Sequence, residues 1–319
     1  LLGFLNSDFA NDLSSIINPS LHFTPGNARE LPFPKADQIP DRLKEVCREC
    51  ISISCEDWNA SETSWGFDAL PIIKRDIKVT TLELTWQNWA TNRNEALSRL
   101  LLLETENNQI FIDAFKLQDE LSANVPEEQV TLARADREKD SQRLISYAIG
   151  CMMGRYSVDE PGLIYAHAGN VDFEPNRYLA FPADADGIIP ITDELWFEDD
   201  ACSRIREFLG SVWGSDTLEM NMAWLAESLG TKATETPDEA IRRYIADKFY
   251  KDHVQTYKKR PIYWHFKSGK QGAFQALVYL HRYNEATLAR MRSEYVVPLT
   301  SKFAYRLDML EKDASASSS

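Results

Sequence analysis

The sequence predicts an α+β fold that is predominantly α-helical, with a helical C-terminal domain carrying a small β-element near residues 260–283. Three observations lead there. Most long segments repeat their apolar residues at helical spacing, whereas strict alternation occurs where Ile262, Trp264 and Phe266 interleave with Tyr263, His265 and Lys267. A chain of 319 residues with 44% hydrophobic content can bury one large core or two ordinary ones.

Leu2, Leu5, Phe9, Leu13 and Ile16 trace an amphipathic opening helix. The chain starts with Leu inside that pattern, so a longer parent is expected. Four prolines and a Pro-Gly turn make residues 18–35 an extended, returning segment. Ile39, Leu43, Val46, Cys50 and Ile53 predict a helix within 36–58, and residues 80–117 hold one or two more, built around Trp86, Trp89, Leu97 and Leu100–Leu103. A further helix is expected over 134–155. The acidic passage that follows reads as loop. Short helices are expected near 198–210, 216–229 and 237–250, the last opening at Thr236-Pro237-Asp238-Glu239. On the strand at 262–267, Ile262, Trp264 and Phe266 read as the buried face; residues 274–283 fit either a helix or a second strand. A final helix spans 286–310. The expected organisation is 1–35, 36–312 and a flexible tail at 313–319.

Charge is distributed unevenly. The chain carries a formal net charge of −14, yet residues 240–292 hold twelve Lys or Arg against three Asp or Glu. The body should repel polyanions while this segment attracts them. No run approaches eighteen apolar residues and LLGFL is followed at once by Asn6, Ser7 and Asp8, so neither a membrane span nor a signal peptide is read; the cytoplasm is the expected location. Five cysteines without a framework fit a reducing compartment.

Local motifs for chemistry are weak. Asn18-Pro19-Ser20-Leu21 imitates the Asn-Pro-Pro-aromatic motif of amino-group DNA methyltransferases, but Ser20 and Leu21 replace the second proline and the stacking ring. There is no G-x-G turn for S-adenosylmethionine, and Ser268-Gly269-Lys270-Gln271-Gly272 puts Gln where a phosphate loop needs Ser or Thr. Cys47, Cys50 and Cys55 have no nearby fourth ligand, so they read as small hydrophobes and no metal is expected. The candidate DNA-binding residues are Lys258, Lys259, Arg260, Lys267, Lys270 and Arg282 for phosphates, with Tyr263 and His265 to stack or hydrogen-bond. The opposing reading pairs these cations with the protein's own carboxylates.

Four stretches in order carry a resemblance: DWNASETSWGFDALPI (57–72), SYAIGCMMGRYSVDEPG (146–162), ELWFEDDACSRIREFLG (194–210) and HVQTYKKRPIYWHFKSGKQGAFQALVYLHRY (253–283). Together they resemble the C-terminal part of the PglX family, the adenine-specific DNA methyltransferases of BREX (bacteriophage exclusion) defence systems, over most of residues 40–295. Residues 1–34 also look like the end of a methyltransferase target-recognition region. The resemblance implies a parent that uses S-adenosylmethionine to methylate the adenine N6 amine in double-stranded DNA, alongside other BREX subunits. The family's cofactor and catalytic motifs match nothing in this chain. It therefore implies a non-catalytic fragment that engages DNA, or alternatively a scaffold that docks the other subunits.

Overall fold

The computed structural model describes residues 1–18, 24–270 and 272–317. Its fold is the expected mostly helical α+β type with one small antiparallel sheet. The chain forms two compact units, one from residues 1–61 and 89–135, the other from 62–88 and 136–319.

In the first unit, α1 (Leu2–Leu5) and α2 (Asp8–Ile17) replace the single opening helix that periodicity suggests. Ser7 breaks it. Its hydroxyl donates to the Phe4 carbonyl at 2.7 Å and accepts from the Ala10 N–H at 3.3 Å, ending one helix and capping the next. The buried face consequently carries Phe4, Phe9 and Ala10, while Leu2 and Ile16 are exposed. The methyltransferase-like motif at 18–21 falls largely outside the described residues. α3 (Pro25–Glu30) opens with a capping box at Thr24 and Asn27.

Beyond it lie α4 (Arg42–Asn59) and α5 (Leu82–Phe115), the latter a single helix that begins in the second unit's sequence and ends in the first's. Phe4 meets Phe111 edge-on at 5.3 Å in one core cluster, while Leu97, Leu100, Val130 and Leu132 form another. On the same helix Arg93, 6% exposed, binds Asp57 at 2.7 Å and the Ala133 carbonyl at 3.2 Å. A buried charge is tolerated because both partners are satisfied in this way.

The second unit is built around α6 (Arg137–Met152), buried continuously from Leu144 to Met152. α7 (Ala201–Trp213), α8 (Leu218–Ser228) and α9 (Pro237–Tyr244) follow. The Thr236-Pro237-Asp238-Glu239 signal does form a capping box. α9 continues through a π-helical turn, Ile245–Phe249, into α10 (Tyr250–Thr256). α11 (Thr287–Arg290) continues through a second π-helical segment, Met291–Val296, into α12 (Val297–Ser317), which extends into the stretch read as a tail.

The sheet runs β1-β3-β2, with β1 (Ile188–Ile191), β2 (Tyr263–Lys267) and β3 (Gln275–Tyr279) all antiparallel. Residues 274–283 thus resolve as a central strand followed by a 3₁₀ turn. Every residue of β3 is buried. β1 was unexpected, because the acidic residues around Gly187-Ile188-Ile189-Pro190-Ile191 mask a short apolar run. Pro190 fits since β1 is an edge strand: the Tyr279 N–H donates to Gly187 O, so alternation along the ladder turns position 190 outward, where no N–H is needed.

Three acidic residues organise the start of β1. Asp184 accepts from the Asp186 and Gly187 N–H groups, Asp186 from the Ile188 N–H, and the buried Tyr295 hydroxyl donates to Asp199 at 2.7 Å. Asp200 caps α7 and pairs with Arg242. Burial, and then the neighbouring Asp184, push Asp186 up to about 7. The folded state therefore holds this proton more tightly than the unfolded chain, so stability is present at low pH and lost as pH rises from about 4 to 7. Asp186→Asn is expected to raise stability at pH 8 by about 1–2 kcal/mol, discounted for solvent screening. The gain should vanish below pH 4, as read by urea unfolding at both values.

Candidate nucleic-acid interface

The basic segment begins where α10 ends. Lys258 and Lys259 both have positive φ, 50° and 65°, and their N–H groups return to Gln255 O at 3.1 Å and Val254 O at 2.8 Å. Two non-glycine residues in the left-handed region are unusual, and such strain persists only where surrounding contacts hold it. His253 supplies that hold. Its Nε2 accepts from the Ile262 N–H at 3.0 Å and the Tyr263 N–H at 3.3 Å, so the far end of the turn is fastened back onto α10. The imidazole is 2% exposed and stacks on Tyr263 at 4.6 Å between ring centroids.

An Nε2 that accepts must lack a proton, so His253 is neutral. Burial, reinforced by the charge of Arg155, pulls its pKa down to about 4. Lys258, Lys259 and Arg260 are left exposed at the C-terminal end of a helix, where the helix dipole favours cations. Lys248 and Lys251 are also exposed on the same helix.

β2 carries the segment away from this turn and the β2–β3 hairpin returns it. Lys267 and Lys270 are exposed there, and Ser268 accepts the Phe274 N–H at 2.9 Å. Ser268, Gly269 and Gly272 thus lie between two antiparallel strands, with both glycines at positive φ, and not in the strand-to-helix loop that cradles phosphate. β2 itself spans about 13 Å over its four residue steps, and Arg260 and Lys270 each lie three residues beyond one of its ends.

Two of the expected contacts are corrected. Tyr263 is fully buried, and Trp264, expected inside, is 38% exposed; the face of β2 against His253, Phe249 and Tyr250 is the more enclosed one. Alternation shows that two faces differ but not which is covered, and here helix α10 covers the polar-looking one. Arg282 is 0% exposed: its guanidinium donates to Asn170 Oδ1, Asp184 O and Ala185 O at 2.8, 2.6 and 2.8 Å, and lies 3.9 Å from the Phe173 ring centre. It is a structural clamp. His265 is half-buried against Gln275 at 2.9 Å, with its pKa lowered by burial.

Among the described residues, Arg242, Arg243 and Arg290 pair with Asp200, Glu235 and Glu294. Lys258, Lys259, Arg260, Lys267 and Lys270 form no ion pair with any described residue. The five cations that remain of the predicted set are therefore not consumed by the protein's own carboxylates. Nor do the described residues include three or more His, Cys, Asp or Glu side chains arranged to hold a metal.

No family model matches the chain. It is 40% identical over 97% of its length to the adenine-specific methyltransferase BrxX of Escherichia coli O9:H4 (strain HS), and 39% identical over 98% to the adenine-specific methyltransferase PglX of Lacticaseibacillus casei (strain Zhang). This is the resemblance to PglX that the four motifs imply. The chain spans about a quarter of the length of these PglX-type relatives, at 27% and 26%.

The geometry has two measurable consequences. His253→Phe keeps the stacked ring but leaves two buried N–H groups without an acceptor, at a cost of roughly 2–4 kcal/mol. Because the folded pKa lies below the unfolded one, the wild type has this stability in full above pH 6.5 and loses up to about 3 kcal/mol as pH falls to 4. The variant should lack that limb when urea unfolding is compared across this range. Arg282→Met should cost roughly 3 kcal/mol in the same assay, yet leave the DNA affinity of the folded protein unchanged.

Proposed function

We propose that this chain is a non-catalytic segment of an adenine-N6 DNA methyltransferase of a BREX phage-defence system, and that it helps hold double-stranded DNA. S-adenosylmethionine and the reacting groups belong to the parent protein, which would work in the cytoplasm with other BREX subunits. One observation carries the reading: five exposed cations without ion pairs stand at the two ends of one strand in a chain of net charge −14.

Physical chemistry supports a clamp here. Basic groups before and after one strand can meet phosphates at separate points along a duplex backbone. His253 and the β2–β3 pairing hold both groups in place, limiting the entropy lost on binding. The surrounding acidic surface would discourage association anywhere else.

A second reading has its own observation. Leu307 and Leu310, three residues apart on α12, are exposed side by side, a feature suited to docking another protein. Salt separates the two, because counterion release makes phosphate binding steeply salt-dependent and apolar docking is not. With Lys258→Glu, Lys259→Glu and Arg260→Glu together, duplex binding at low salt is expected to weaken at least tenfold. The slope of log affinity against log salt should flatten by about 0.9 for each phosphate no longer neutralised. An unchanged slope in both this chain and the full-length parent would rule the turn out as a DNA-binding element.

A further inference from the structure

The first unit contains a cleft of about 630 Å³ between α1, α2, α4, α5 and residues 125–131. That volume lies in the range of sites for small organic ligands. Its walls contain two carboxylates, Asp8 and Glu104, and no Lys, Arg or His. Asp8 is partly satisfied, accepting from Asn108 Nδ2 at 2.6 Å. Glu104 is half-buried and has no hydrogen bond or ion pair among the described residues. Burial first, and then the charge of Asp8, raises its pKa. Negative charge in this cleft therefore lacks an internal counterion.

A second acceptor is independent of the carboxylates. Asn107 also lines the cleft and is 6% exposed; its Nδ2 donates to Gly3 O at 2.9 Å, while its Oδ1 has no partner. An unpaired buried acceptor costs about 1–3 kcal/mol unless something donates to it. The remaining wall is mixed, with Val46, Ile51, Trp58 and Leu100 giving an apolar part. Cys50 lines it as well, and burial pushes its thiol up to about 11, so it contributes a neutral surface at physiological pH.

We infer that this cleft binds an organic cation, a primary amine or guanidinium carried on a hydrocarbon stem. Glu104 and Asp8 supply the counter-charge, Asn107 Oδ1 accepts a hydrogen bond, and the apolar wall covers the stem. Free alkylamines and the basic side chain of a peptide share this chemistry. The site is separate from the proposed DNA-binding surface and does not depend on it.

The test is calorimetric titration of the chain at pH 7.5 with hexylamine, hexanol and hexanoate, and with a capped Leu-Lys-Leu tripeptide. Hexylamine should bind saturably with one equivalent, at least tenfold more tightly than hexanol, with hexanoate weakest. Glu104→Gln should lose at least tenfold in amine affinity, while Asp119→Asn, an exposed carboxylate outside the cleft, should lose none. Since Glu104→Gln removes an unpaired half-buried carboxylate, it should melt no lower than wild type; Glu104→Asp, which withdraws the charge by one methylene, should bind with intermediate affinity. A tripeptide tighter than hexylamine assigns the site to a peptide side chain, and the reverse order assigns it to a free amine. Equal affinity for hexanol and hexylamine, no saturable amine binding at millimolar concentration, or full binding by folded Glu104→Gln would overturn the inference.

Discussion

The basic surface depends on one neutral imidazole. His253 Nε2 accepts two main-chain N–H groups from the start of β2, and this fastens a turn whose Lys258 and Lys259 occupy left-handed backbone conformations. Glycine would adopt those angles without strain. Lysine adopts them when the ends of the turn are tied, and the tie places three cations beside each other in solvent. Burial keeps the imidazole neutral, and neutrality is what lets it accept. A ring that carries no charge thereby organises a strongly charged surface.

Arg282 complements this beside the turn that leads into β1. Sequence places it in the same basic run, but its guanidinium binds two carbonyls and an amide around the turn that leads into β1. Cations in this segment consequently have two fates. Lys258, Lys259, Arg260, Lys267 and Lys270 form no ion pair among the described residues; those that meet buried carbonyls or carboxylates become part of the framework. Net charge alone cannot separate these fates, because it counts both.

The acidic body has a comparable division. Asp200 caps a helix and pairs with Arg242, Asp184 and Asp186 accept the N–H groups that open β1, and Asp199 takes the Tyr295 hydroxyl. These carboxylates are structural, though the stretch reads as an acidic loop. Glu104 differs in having no such partner, which is why it singles out the cleft of the first unit. The relatives bearing methyltransferase names extend well beyond the stretch matched by this chain.

The sequence by itself determined the helical α+β class, the capping box at Thr236, the single place where strand alternation occurs, and the resemblance to PglX. Each depends on order along the chain: periodicity, local side-chain-to-backbone bonding, or the succession of long motifs. Tertiary structure decided the rest. It converted Ile188–Ile191 into an edge strand, turned Tyr263 inward and Trp264 outward, and buried Arg282 while leaving Lys258, Lys259 and Arg260 in water. Those outcomes turn on which distant element covers a given face, and on whether a charge finds its partner a hundred residues away. Neither a period of two nor a local charge count contains that information, because both are blind to pairings between residues far apart in the chain.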